Sequence, residues 1–250
     1  MHFTISAWVL FLCVTASYSA FSRESTEVKL LAVANENRLL QYYENESSKG
    51  PSIEILQAIL KEAQLDANVE FMPWIRAFAT ASNNPNTLIL SIIRTPERED
   101  NFYWLIKVSN LTRVFISLTG KPENFVENMQ QAKQKLIATV KGSASYKELI
   151  SQGFSEQENL YVISDSKLAV TLLKNGRVDL IYDDPINVRN ILNEQGGSDV
   201  AIDYKNIAAE NQRSSYIAIN KSTDIKIVNR LQQAARKFEK TPEYAQLLIK

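Results

Sequence analysis

The apolar positions of this chain fall into short blocks separated by polar turns, and the spacing changes from block to block. Val28–Ala34 (VKLLAVA) is a near-continuous apolar run with the length of a buried strand. The stretch from Asn35 to Lys49 is polar and reads as a loop, with Tyr42 and Tyr43 in its middle. Gly50-Pro51 then opens a helix whose Ile53, Leu56, Leu60 and Ala63 share one face. A short strand over Val69–Met72 is stopped by Pro73, and Ile75–Ala81 reads as a second helix. Leu88–Ile93 (LILSII) is a buried strand that runs into the charged turn Arg94–Asp100, and Val114–Leu118 is another strand.

The second half repeats this rhythm. Strands are predicted at Leu136–Val140, Leu160–Ile163 and Val178–Tyr182. Helices are predicted from about Tyr146 to Gln152, and after Ser164-Asp165 with Leu168, Leu172 and Leu173 on the apolar face, ending at Gly176. Ser215–Ile219 is the last strand; a long helix follows Thr223-Asp224, and Thr241-Pro242-Glu243 starts a terminal one. Strands alternating with helices of this length argue for an α/β fold with largely parallel sheets.

Residues 1–19 stand apart. Ile5–Val14 is an apolar run of ten, followed by the small residues of TASYSA. A membrane-spanning helix needs about twenty apolar residues, so the run suits the core of a signal peptide, with cleavage after Ser17-Tyr18-Ser19. Both the single His and the single Cys, His2 and Cys13, lie inside that segment. Once it is removed, no imidazole base, thiolate nucleophile, disulfide or Cys/His zinc site is available. The 28 basic and 28 acidic side chains balance, which gives no basis for a nucleic-acid partner or for attraction to an anionic membrane. No later segment has the length for membrane insertion, and no glycine-rich phosphate loop or other cofactor motif occurs, so no cofactor or metal is expected.

Four clusters carry candidate chemistry. Pro73-Trp74-Ile75-Arg76-Ala77 puts an aromatic ring and a cation at a strand-to-helix turn. Ser91 to Arg98 (SIIRTPER) delivers Ser91, Arg94, Thr95 and Arg98 at the carboxyl end of a buried strand, where open α/β sheets bind ligands. Gly142-Ser143-Ala144-Ser145 places hydroxyls and backbone N–H groups at a helix start. Asp183-Asp184 ends a strand. A guanidinium on one side and a carboxylate on the other can grip a zwitterion. Each cluster also has a purely structural reading: packing for Trp74, a solvated turn for the arginines, a helix cap for Ser143 and a tight turn for the aspartates.

Taken in order, these pieces resemble the extracellular solute-binding proteins of family 3, the amino-acid type of bacterial ABC importers. They are SxxRTPER with the following FYW (Phe102–Trp104), strand-KGS (Val140–Ser143), LLKNGRVDLIYDD (Leu172–Asp184) and SSYIAINKSTD (Ser214–Asp224). The resemblance implies a two-lobe periplasmic binding protein-like II fold, a Venus flytrap. Residues 22–112 plus 205–250 would form one lobe and 113–204 the other, with crossings near Arg113–Leu118 and Val200–Tyr204. It implies that Arg98 holds a ligand carboxylate, Asp184 a ligand ammonium and Ser143 supports the carboxylate, with Tyr42 or Tyr43 as a cover. The sequence departs from the family pattern in two places: Ile93 stands where many members carry Ser or Thr, and the first loop has QYYENES in place of the usual Pro-Phe; Arg94 is a second basic candidate that could replace Arg98. The implied partners are a small-molecule ligand and, in the periplasm, the membrane permease of an ABC importer or a sensor receptor. An enzyme on the same scaffold, such as a cyclohexadienyl dehydratase, would need a cleft carboxylate such as Glu97 or Asp183.

Overall fold

The computed structural model describes residues 29–207 and 212–249, in which the apolar blocks pair into two five-stranded sheets and one small hairpin; residues 1–19, read above as a signal peptide, lie outside these residues. In chain order the strands of the first half are β1 (Leu30–Ala34), β2 (Tyr42–Glu44), β3 (Ser47–Lys49), β4 (Ala67–Phe71), β5 (Thr87–Ile93), β6 (Phe102–Thr112) and β7 (Val114–Leu118). Those of the second half are β8 (Ile137–Val140), β9 (Leu160–Ile163), β10 (Leu180–Asp183), β11 (Ile202–Lys205) and β12 (Gln212–Asn220). The helices are α1 (Pro51–Ala63), α2 (Trp74–Asn83), α3 (Met129–Ala132), α4 (Ala144–Ser151), α5 (Ser166–Lys174), α6 (Pro185–Glu194), α7 (Ile225–Phe238) and α8 (Pro242–Leu247).

The first sheet runs β4-β1-β5-β12-β6 and the second β11-β7-β10-β8-β9. In each, four strands point one way and one is reversed: β12 in the first sheet, β7 in the second. The chain leaves the first sheet at Thr112 and enters the second at Val114, with Arg113 alone between them, and it returns after Lys205.

Both sheets are covered on two faces, which is why their strands lack clean alternation. On β5, Leu88 and Leu90 face α1 and α7, whereas Ile89 faces Trp74, Ala77 and Ala81 of α2. In the second lobe, Ile116, Ala138 and Ile181 meet α5 and α6, while Phe115, Ile137 and Leu180 meet Leu149 of α4. On α7, Val228, Leu231, Ala235 and Phe238 share one face and are buried.

Four local readings change. The polar stretch before Gly50 contains the hairpin β2–β3. Gly50 joins it to α1 at φ +106, and a Cβ there would meet the Leu40 carbonyl oxygen at 2.6 Å, so only glycine fits. The eleven-residue strand β6 and the helix α6 were not anticipated as elements. On α5, Leu173 is buried as expected, but Leu168 is 41% exposed, and Ala169 and Val170 complete the buried face.

Candidate functional site

The carboxyl ends of β1 and β5 in one lobe face those of β8 and β10 in the other across a cleft, the position where α/β sheets place ligands. The cavity between them is about 90 Å³. Its first-lobe wall includes Asn35, Gln41, Trp74, Ser91 and Arg98, and its second-lobe wall includes Thr139, Ser143, Ser145, Tyr182 and Asp183.

Arg98 is the dominant charge. The turn 96–101 is a short 3₁₀ helix started by Pro96, with the Arg98 backbone N–H donating to the Thr95 carbonyl at 3.0 Å. This folds the side chain back under α2, where it is 1% exposed. Its Nη1 donates to the Ile93 carbonyl at 2.9 Å, and the guanidinium lies 5.2 Å from the Trp74 ring and 5.1 Å from that of Phe78. Nε and Nη2 are buried without a partner. Burial lowers the guanidinium to about 10 against the weaker pull of Glu97, so it stays charged at neutral pH.

Trp74 closes the cleft. Its indole N–H donates to the Gly142 carbonyl in the opposite lobe at 3.0 Å. Ser91 holds φ +54 inside β5, where the pairing with β12 slips register. That conformation costs a side-chain-bearing residue about 1 kcal/mol. The Ser91 hydroxyl donates to Gln41 Oε1 at 2.5 Å and lies 2.8 Å from the Ser52 hydroxyl. The Gln41 amide in turn donates to the Asn35 carbonyl at 3.0 Å, so the loop after β1 is pinned to the end of β5.

On the facing wall, Ser143 caps α4 by accepting from the Tyr146 N–H at 3.0 Å, and the same residue lines the cavity. Asp183 forms an ion pair with Arg113, accepts from the Asp184 N–H at 2.7 Å and from Asn187 Nδ2 at 3.2 Å. Tyr182 donates to Glu148 at 3.0 Å, and Glu148 is also paired with Arg213. Burial foremost, then Glu148, pushes the Tyr182 phenol up.

Of the residues singled out from the sequence, the cleft gathers Trp74, Ser91, Arg98, Ser143, Ser145 and Asp183. Asp184 is not in its lining. The carboxylate is 4% exposed and caps α6, accepting from the Ile186 and Asn187 N–H groups, and it accepts from the Thr112 N–H at 2.7 Å where the chain crosses between lobes. Arg94 turns outward to Glu99 and packs against Trp104 and Tyr216. Thr95 contributes its backbone carbonyl to Arg98 rather than its side chain to the cavity. Tyr42 stacks with Arg38 at 4.3 Å on the β2–β3 hairpin, and Tyr43, 53% exposed, faces Phe71. The cover from that loop comes instead from Asn35, Asn37, Leu40 and Gln41, earlier in the same segment. Arg113 and Tyr182 were also missed.

These features define a two-lobe α/β fold with a cleft between the lobes, and known proteins share it. No protein-family model matches the sequence. The L-cystine-binding protein TcyA of Bacillus subtilis (strain 168) is 21% identical over 200 residues, which cover 79% of this chain and 71% of that protein. A histidine kinase sensor domain with similarity to periplasmic binding proteins superposes with a TM-score of 0.76 at 14% identity, covering 87% of this chain and 93% of the other. The amino acid ABC transporter substrate-binding protein AbpA of Streptococcus pneumoniae, bound to L-arginine, superposes at 0.73 with 16% identity, covering 88% and 92%. The fold is that of a type II periplasmic binding protein, and the resemblance to family 3 solute-binding proteins carried by the motifs is matched by relatives of that kind.

Proposed function

We propose that this chain is an extracytoplasmic solute-binding protein. It captures a small polar, amino-acid-like ligand between its lobes and delivers it to the membrane permease of an ABC importer. In this reading residues 1–19 export it to the periplasm, residues 22–112 with 205–250 form one jaw and 113–204 the other, and the ligand's carboxylate sits on Arg98. The observation that carries the reading is the Arg98 guanidinium, buried in the interlobe cavity with Nε and Nη2 unpartnered. An anion there satisfies both donors, and excluding water strengthens each charge-assisted bond. A ligand touching both walls has more contacts in the closed form, so its differential affinity drives closure.

Binding rather than turnover is supported by the carboxylates. Glu97 is exposed and outside the cavity lining, and Asp183 is held by Arg113, Asn187 and backbone. Among the described residues no uncommitted acid faces the cavity to move a proton. No helix among the described residues is long and apolar enough to cross a membrane.

The test is a thermal-shift screen of the purified mature protein against amino acids, small organic acids, polyamines and sugars, with calorimetry on every hit. A ligand bound by the folded form alone raises Tm by linkage. The expected hits carry a carboxylate; stabilisation by sugars or polyamines alone overturns the reading. The likeness to a sensor domain supports a second reading, in which the closed form signals to a receptor kinase. Deleting the gene separates the two: lost uptake of the ligand identifies transport, and a lost transcriptional response with uptake intact identifies sensing.

A further inference from the structure

We infer that the cleft selects a carboxylate whose carbon next to the carboxyl group bears no ammonium: a monoanionic carboxylic, hydroxy or oxo acid, not an α-amino acid. This rests on the solute-binding reading above and narrows it. The argument is a count of charges and unpartnered atoms. Three titratable side chains besides Tyr182 line the cavity among the described residues: Arg98, Arg113 and Asp183. Arg113 and Asp183 cancel each other as an ion pair, and the other Asp183 oxygen accepts from Asn187 Nδ2 at 3.2 Å. The neighbouring buried acid, Asp184, is committed to three backbone N–H groups.

The uncompensated charge is therefore the single positive one of Arg98. A monoanion brings the enclosed site to neutrality. A zwitterion leaves the site at +1, with its ammonium shut in a cavity whose one lining carboxylate is already taken, and an unpaired buried ammonium is strongly disfavoured. The buried lining atoms without a partner agree with this. Among the lining residues these are Arg98 Nε and Nη2 in one lobe and the Thr139 hydroxyl in the other. The two guanidinium atoms only donate, and the hydroxyl donates or accepts, so a guest presenting acceptors satisfies all three. The remainder of the lining includes Ile93, Leu111, Val140, Ile163 and Ile181, which suits a short aliphatic body.

Calorimetry on the purified mature protein with matched sets tests this: alanine, lactate and propanoate; valine, 2-hydroxy-3-methylbutanoate and 3-methylbutanoate. The hydroxy or plain acid is expected to bind at least tenfold more tightly than the amino acid of the same skeleton. Equal or tighter binding by the amino acids overturns this inference and leaves the solute-binding reading standing. Absence of binding by every acid and amino acid, with a sugar or amine binding instead, overturns both. Arg113→Met supplies an independent arm by releasing Asp183. It is expected to shift the preference at least tenfold toward the amino acids; an unchanged preference overturns the charge count. Should that variant fail to fold, the matched sets on the unaltered protein decide.

Discussion

The two walls of the cleft use charge in opposite ways. On the first-lobe wall Arg98 is buried beneath Trp74 and Phe78 with most of its donors free. On the second-lobe wall the lining acid, Asp183, is already engaged by Arg113, and the acids behind it are engaged too: Asp184 with the start of α6 and the crossover, Glu148 with Arg213 and Tyr182. The first arrangement keeps a group ready at a cost in stability; the second spends its groups on shape. Two strand-end clusters, SIIRTPER and YDDP, thus differ: one holds a buried guanidinium with unpartnered donors, the other holds carboxylates that are already bonded.

The largest test of this contrast is Arg98→Ala. Removing one partner of a buried charge pair costs about 2–5 kcal/mol, so affinity for the best carboxylate is expected to fall at least tenfold by calorimetry. Ligand-free Tm is expected to hold or rise, because the native state is relieved of a cation that burial disfavours. A large loss of Tm would make Arg98 a structural residue. The same group sets the pH response. Its protonation is depressed from 12.5 to about 10, so its burial penalises the fold at neutral pH and that penalty fades as pH climbs through 10. Carboxylate affinity should stay level through neutral pH and decline above about 10, while the ligand-free protein shows no matching loss from this group.

On the opposite wall the order of effects reverses. Asp184→Ala removes a helix cap worth about 1 kcal/mol and strands the Thr112 N–H, so Tm is expected to drop by about 2–4 °C or more with affinity changed less than by Arg98→Ala. A fall in affinity as large as that of Arg98→Ala would make Asp184 a ligand group after all. Trp74→Phe keeps the ring and deletes the donor to Gly142; one hydrogen bond nets about 1 kcal/mol, so binding should weaken about fivefold and small-angle scattering should report a more open ligand-free ensemble. The smallest effect is expected for Arg94→Ala, within about twofold in affinity, since its partner is the exposed Glu99 and such pairs contribute about 1 kcal/mol or less to folding.

What the sequence revealed follows from which interactions are local. The alternation of buried strands and amphipathic helices was legible at β5, α1, α7 and α8, where period and caps agree. Strand β6 escaped because two register slips against β12 and a half-buried face break its period of two. Helix α6 escaped because PINVRNILNE reads as polar, although its Asn187 is buried. In the site, Arg98, Trp74 and Ser143 were legible from strand ends and helix starts. Nothing local reveals that Arg113 neutralises Asp183, seventy positions away, or that the Asp184 carboxylate reaches back to Thr112. Those pairings exist only once the chain has crossed between the sheets, and they decide which acid faces a ligand.

The indole of Trp74 reaches a main-chain oxygen, not a side chain. A main-chain oxygen is present whatever residue occupies position 142, so no single substitution there can delete the acceptor. The fastening can be retuned from one jaw only. A guest enclosed behind it leaves no sooner than the jaws part, and its residence time therefore carries the signature of the protein's own opening as well as of the guest's chemistry.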